Sequence, residues 1–161
     1  MTRNHLFVFV MLLLSAPVSM SQELPSNAGG WRIPDAPLNC EMNMLYMDML
    51  SQMVPEQTRN GGVLVAVARL GAGEKWRESN RRRLYNVREY IKDRTGIGAG
   101  KIVVAEGERV SGLGRVEFYL GGRMVGGLLM GKNQDLCLLC CEEVGPYYPH
   151  KDNLEKKRRR K

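Results

Sequence analysis

Val63-Leu64-Val65-Ala66-Val67-Ala68 is an unbroken apolar run rich in β-branched valine. Glycines flank it on both sides, at 61 and 62 and at 71 and 73. A short run of this kind between turn residues predicts a buried strand rather than a helix. Because a buried strand needs covering layers, the fold depends on what the flanking segments supply.

A helix is predicted on the N-terminal side of this strand. Asn39 to Val54 begins with a good N-cap residue, and Pro55 is expected to end the helix. The helical wheel gives an apolar stripe and, on the opposite side, a sulfur-rich group that Leu138 and Leu139 are expected to cover. The stripe comprises Met42, Leu45, Tyr46, Met49, Leu50 and Met53, and the opposite group comprises Cys40, Met44 and Met47.

The second predicted helix lies within Glu74 to Thr95 and is closed by Gly96. Three more strands follow it. They are predicted at residues 101–105, 115–120 and 123–130, and Gly121-Gly122 is expected to join the last two in a tight hairpin. The order α-β-α-β-β-β predicts an α+β fold, a two-layer sandwich of one small mixed sheet with two helices packed on it.

The N-terminus has the three-part layout of a secretory signal peptide. Arg3 precedes the apolar run Leu6 to Leu14, and small residues follow it up to Ser21. We expect residues 1–21 to be removed and the protein to be exported to the periplasm or the extracellular space. The apolar run is well short of the ~20 residues of a membrane span, so no transmembrane helix is expected.

The formal charge of +7 is concentrated in the tail. Lys151 to Lys161 holds seven basic and two acidic residues, which leaves residues 22–150 close to neutral. A near-neutral body argues against a nucleic-acid partner. The expected organisation is a Pro/Gly-rich linker at 22–37, one domain at 38–148 and a disordered tail at 149–161, which either meets an anionic surface or only improves solubility.

Four cysteines, Cys40, Cys137, Cys140 and Cys141, are expected to form two disulfides after export. Bonding the adjacent pair would be strained, so two pairings remain open, Cys40–Cys141 with Cys137–Cys140 or Cys40–Cys140 with Cys137–Cys141. Thiol-redox chemistry, a Zn²⁺ site on the four thiolates and a copper site on Cys40, Met44 and Met47 are weaker alternatives. No cofactor is expected.

Several short segments of the middle region follow one another in a characteristic order. They are Arg83-Leu84-Tyr85-Asn86-Val87-Arg88-Glu89-Tyr90-Ile91, Gly96-Ile97, Lys101-Ile102, Glu106-Gly107-Glu108 and Arg115-Val116-Glu117. In order and spacing they resemble, in degenerate form, the peptidoglycan-associating C-terminal domain of OmpA-type proteins. The resemblance covers about residues 63–120 and implies an OmpA-C-like βαβ-β core, here with a C-terminal hairpin.

The resemblance also implies a ligand site. Arg83 stands where the family has its carboxylate-binding arginine, and Asn80 stands at the family's N-cap serine, which would put Arg83 in the first helical turn. The family's ammonium-binding acid is missing, because the matching segment is Ala68-Arg69-Leu70-Gly71. A plain solvated basic face at Arg81-Arg82-Arg83 is the competing interpretation.

No convincing catalytic set is present in the sequence. His5 lies in the predicted signal peptide, and His150 adjoins the tail. Glu106 and Glu108 alternate at the end of a strand, which gives poor geometry for an acid–base pair. The sequence therefore favours a non-enzymatic envelope module that binds peptidoglycan or another anionic envelope partner. The alternative is a disulfide-stabilised structural or interaction protein without a small ligand.

Overall fold

The computed structural model describes residues 32–142 and Tyr148. The predicted signal peptide, most of the linker and the basic tail lie outside these residues. Two helices and four strands follow one another as α1, β1, α2, β2, β3 and β4. Their bounds are α1 Cys40–Arg59, β1 Leu64–Arg69, α2 Arg77–Thr95, β2 Ile102–Glu106, β3 Arg115–Leu120 and β4 Arg123–Leu129.

The four strands form one mixed sheet in the order β2-β1-β3-β4. β1 pairs in parallel with β2 and antiparallel with β3, and β3 pairs antiparallel with β4. Gly121 and Gly122 make the hairpin turn, and both have positive φ (57° and 77°), which glycine adopts without steric cost. The predicted α+β sandwich of two helices on one small mixed sheet is confirmed.

Both helices pack on the same face of the sheet. The alternate residues of β1, which are Leu64, Ala66 and Ala68, are completely buried under them. The other strands and both helices contribute buried apolar side chains to the same core, among them Met47, Leu50, Val54, Val87, Tyr90, Ile91, Val116, Phe118 and Leu120. The sheet's second face carries no helix among the described residues.

The first helix differs from its prediction in length. Asn39 is the N-cap as expected, because its Oδ1 accepts a hydrogen bond from the backbone N–H of Met42 at 2.9 Å. Pro55, however, lies inside the helix, which continues to Arg59. The last turn buries Thr58, and this packing outweighs the hydrogen bond that proline cannot donate.

The predicted apolar stripe of α1 is only partly buried. Met42, Leu45 and Met49 are 40–48% exposed. The buried side of the helix instead combines Met47, Leu50 and Val54 with polar Asn43 and Ser51. Leu138 is buried in the same core as Met47, and Met44 and Leu139 pack against that core.

The structure selects one of the two disulfide pairings that the sequence left open. Cys40 pairs with Cys141, with Cα atoms 5.8 Å apart, and Cys137 pairs with Cys140. The first bond links the start of α1 to the C-terminal segment across 101 residues. In this pairing no free thiolate remains for the zinc and copper hypotheses.

Within the described residues, no helix is both long enough and apolar enough to cross a membrane.

Candidate functional site

A buried ion pair anchors the region where α2 begins. The guanidinium of Arg83 meets the carboxylate of Glu74 through two contacts, Nη2–Oε1 at 2.6 Å and Nη1–Oε2 at 3.1 Å. Both side chains are at most 1% exposed. Arg83 also donates from Nε and Nη2 to the backbone oxygen of Gln134, at 3.3 and 2.9 Å. The guanidinium therefore faces partners inside the protein on each of its donor edges.

Glu74 is held equally firmly on its other side. Its oxygens accept the backbone N–H groups of Gly71 at 2.8 Å and of Asn133 at 2.9 Å. Burial acts to raise the pKa of Glu74, but the hydrogen bonds from Arg83 and from these amides outweigh it and lower the pKa below its ordinary value. The carboxylate is thus ionised, and it joins the loop after β1 to the loop after β4.

A glycine makes room for this pair. Gly114, just before β3, lies so close that a side chain there would collide with the Glu74 carboxylate and the Arg83 guanidinium. Three loops therefore converge on the pair, those containing Gly71, Gly114 and Asn133. The ion pair organises one end of the sheet by fixing these loops relative to α2.

The structure places the two predicted ligand residues differently from the expectation. α2 starts at Arg77, and its N-cap is Trp76, which makes no side-chain capping bond. The expectation that Asn80 caps the helix is therefore wrong. Asn80 lies in the helix, is 1% exposed, and donates from Nδ2 to the backbone oxygen of Ala68 at 3.2 Å.

Arg83 consequently lies in the second turn of α2 and not in the first. Its side chain has no exposed surface, and the carboxylate it binds belongs to Glu74. The arginine–carboxylate contact inferred from the resemblance is present, but within the protein. The physical reason is that Glu74, nine positions earlier, satisfies the guanidinium without desolvating an outside ligand.

A cleft opens beside the buried pair at the N-terminal end of α2. It has a volume of about 780 Å³ and shares Asn133 with the Glu74 network. Trp76 forms one wall and is 68% exposed, which is unusual for so large an apolar side chain. The lining residues are Trp76, Glu78, Ser79, Arg82, Asn133 and Asp135.

The cleft carries both signs of charge. Arg82 contacts Asp135 at 2.8 Å and Glu78 at 3.7 Å, and the three side chains are 31%, 42% and 40% exposed. The hydrogen bond to Asp135 raises the pKa of Arg82, so this cation stays charged. A site with partly exposed groups of both signs suits a ligand that itself carries an ammonium and a carboxylate.

Tyr148 limits the mobility of Arg82. Its ring lies 5.4 Å from the guanidinium carbon of Arg82 and packs edge-to-face on Tyr85. Its hydroxyl donates to Glu78 at 2.5 Å, and this bond raises the pKa of Tyr148. The ring contact and the bond from Tyr148 to Glu78 hold the guanidinium of Arg82 in this orientation.

Reasoning from the sequence missed Trp76, Arg82 and Asp135 as neighbours. The sequence places Arg82 only within the basic run Arg81-Arg82-Arg83. The sequence does signal a short Gly-rich loop followed by an acid and a tryptophan, residues 71–76. Asp135 comes from a distant segment and could not be placed without the fold.

Comparison with known proteins gives no relative for this chain. No protein-family model, no curated protein and no solved structure matches it. The resemblance to OmpA-type domains accordingly stays a prediction from the quoted residues.

Proposed function

We propose that this protein is an exported, non-enzymatic envelope module that binds peptidoglycan through the cleft at the start of α2. The observation that carries the proposal is the exposed Trp76 beside oriented Arg82 and Asp135 in a cleft of about 780 Å³. Two disulfides support export, because such bonds persist in oxidising compartments.

The chemistry of the cleft fits a wall fragment. The Trp76 ring offers a flat apolar surface of the kind on which a sugar or an aliphatic side chain packs. Arg82 is a fork donor for a ligand carboxylate, and Asp135 and Glu78 are acceptors for a ligand ammonium. Peptidoglycan peptides present both groups on their diamino acid, so one ligand can engage both signs of charge.

The site of the proposal therefore differs from the Arg83 and Asn80 pair inferred by resemblance. Arg83 positions the loops, and its neighbour Arg82, one residue earlier, faces outward. Arg82 is 31% exposed at its side chain whereas Arg83 has no exposed surface. Consecutive helical residues point about 100° apart, which explains how one is internal and the other accessible.

The test is co-sedimentation with purified peptidoglycan, using a chain that ends at His150 so that the basic tail cannot bind by charge alone. We expect saturable binding that Trp76→Ala and Arg82→Ala each weaken by about tenfold, the lower end for charge-assisted or aromatic contacts. Arg81→Ala is the matched control, since it removes the same charge from a side chain that lies outside the cleft. Absence of binding, or equal loss in Arg81→Ala, would overturn the proposal.

A second candidate function, an interaction protein without a small ligand, is favoured by the surface of α1. Met42, Leu45 and Met49 lie on one side of the helix and are 40%, 48% and 40% exposed. An isologous contact with a second copy is the simplest occupant of such a surface. Sedimentation equilibrium would show a dimer that Leu45→Glu dissociates, whereas a monomer at all concentrations would contradict this candidate.

A further inference from the structure

The helix-free face of the sheet carries a polar cluster at the β1–β3 pair. Its members are Arg69, Arg115, Glu117 and Tyr119, which alternate with core residues and so point away from the helices. Arg69 and Arg115 are direct cross-strand partners. Two like charges placed opposite each other destabilise a sheet unless a third group compensates them.

Glu117 is that third group. Its Oε2 accepts from Nε of Arg69 at 2.8 Å and its Oε1 accepts from Nε of Arg115 at 2.6 Å. The hydroxyl of Tyr119 donates to Oε2 at 2.8 Å. The Glu117 side chain is 4% exposed, while the two arginine side chains are 26% and 31% exposed. One buried carboxylate thus holds two partly exposed guanidiniums.

The surroundings fix this arrangement in place. Glu117 is paired across the sheet with Gly127, and the side chain of Ile33 occupies the space over that glycine. Gly107 lies against the guanidinium of Arg69, where any side chain would collide with it. The arginines are therefore positioned by packing and by hydrogen bonds, and little side-chain entropy remains to be lost on binding.

The charges of the cluster do not balance. Burial acts to raise the pKa of Glu117, but hydrogen bonds from Arg69, Tyr119 and Arg115 outweigh it and lower the pKa, so the carboxylate is ionised. One negative charge against two positive charges leaves a net positive charge at this spot. A single arginine would neutralise Glu117, so stability alone does not explain the second.

The terminal nitrogens of the arginines supply the available donors. Both side chains bind Glu117 through Nε, and Arg69 Nη1 makes a long contact of 3.4 Å with the backbone oxygen of Glu108. Within residues 32–142, Nη1 and Nη2 of Arg115 donate no hydrogen bond to a protein group. Two partly exposed guanidiniums whose terminal nitrogens are not used by Glu117 are a donor set that suits a phosphate oxyanion.

We propose that Arg69 and Arg115 form a phosphate-binding site on the helix-free face of the sheet, with Glu117 as the residue that positions them. The site is separate from the cleft at α2 and does not rest on the function proposed for that cleft. Its ligand class is a phosphate group, either free or as the phosphodiester of an envelope molecule.

The test is an NMR titration of the chain ending at His150, following the arginine Nε–Hε resonances at constant ionic strength. Inorganic phosphate is one probe, glycerophosphoglycerol is the phosphodiester probe, and acetate is the carboxylate comparison. We expect saturable shifts of Arg69 and Arg115 with both phosphate probes. Tighter binding of the diester would identify an envelope phosphodiester as the source, and tighter binding of inorganic phosphate would identify the free ion.

Arg115→Gln should weaken phosphate binding by about tenfold or more, because it removes one of two charge-assisted donors. Arg115→Lys keeps the charge and the fold but lacks the planar fork, so its affinity should lie between those of Arg115→Gln and the natural chain. Arg81→Gln, an equal loss of charge on α2, should leave binding unchanged.

Unsaturable shifts, or equal affinity in Arg115→Gln and the natural chain, would overturn the phosphate site. Acetate binding as tight as phosphate would also overturn it, since the site would then recognise charge and not the phosphate group. If Arg115→Gln fails to fold, Arg115→Lys replaces it in the comparison with the natural chain. A well-dispersed backbone amide spectrum will show that Arg115→Lys is folded.

Discussion

The Glu74–Arg83 pair gives the sharpest prediction of stability. Arg83→Met fills a similar volume but removes the cation, and it leaves the Glu74 carboxylate in a fully buried site with only two backbone donors, from Gly71 and Asn133. Removing one partner of a buried ion pair costs about 3–5 kcal/mol. That is a large part of the roughly 5–15 kcal/mol that stabilises a typical domain.

Urea denaturation followed by circular dichroism measures this loss. With a slope of about 1–3 kcal/mol per molar urea for a small domain, the midpoint should fall by about 1 M or more. Arg81→Met, whose side chain is 63% exposed, is the control and should change the free energy of unfolding by no more than about 0.5 kcal/mol.

A double variant separates a charge effect from a packing effect. Glu74→Leu combined with Arg83→Met removes both charges, so it should be more stable than Arg83→Met alone although less stable than the natural chain, because three backbone groups lose their side-chain partners. The single variant Glu74→Leu completes the comparison. If the free-energy losses of Glu74→Leu and Arg83→Met add up to the loss of the double variant, the two residues are not coupled, and the reasoning about Glu74 is refuted.

Two further predictions concern pH and the disulfides. Burial, followed by the hydrogen bond to Asp48, raises the pKa of Tyr90 to about 12. The stability that this shift contributes should be complete below the ordinary tyrosine pKa of about 10 and lost as pH rises through about 12. Urea denaturation of the natural chain and of Tyr90→Phe across this pH range will measure the loss, and the same pH dependence in both chains would contradict it. Cys40→Ser with Cys141→Ser should lower the free energy of unfolding by about 3–5 kcal/mol, because it opens a loop that joins residues 101 positions apart. Removing the Cys137–Cys140 bond, which joins residues three positions apart, should cost less. Equal losses in urea denaturation would contradict the loop-closure reasoning.

The sheet was predictable because its signals are local. The valine-rich run before Arg69 became β1, and the Gly121-Gly122 turn became the hairpin at the expected residues. Each strand boundary depends on neighbouring glycines or on a change in apolar pattern, and no distant contact was needed to find it. The second helix ends at Gly96 because of the same kind of local signal, since this glycine adopts a left-handed φ of 65°.

The interior orientation of α1 was not predictable from its composition. The wheel showed two apolar surfaces, and only the fold decides which of them meets the sheet. Buried Asn43 donates to the backbone oxygen of Leu38 at 3.1 Å, so a polar residue lies on the inner side of the helix. Met42 and Leu45 were left on the outer side as a consequence.

The partners of Arg83 were not predictable from the sequence. The resemblance gave Arg83 a ligand carboxylate, whereas Glu74 and Gln134 use its donors inside the protein. Gln134 lies 51 positions away in the chain, and no local pattern reports such a partner. For the same reason, the contact between Arg82 and Asp135 could not be predicted from the sequence.

The most direct test of the peptidoglycan proposal is the indole Nε1–Hε1 resonance of Trp76. The chain has two tryptophans, and Trp76→Phe identifies which of the two signals belongs to the cleft. Titration of the chain ending at His150 with a soluble wall fragment that carries the diamino-acid peptide should shift this signal to saturation, and Arg82→Ala should weaken the midpoint by about tenfold. A Trp76 signal that does not move, or that moves with the same midpoint in Arg82→Ala, would contradict the proposal.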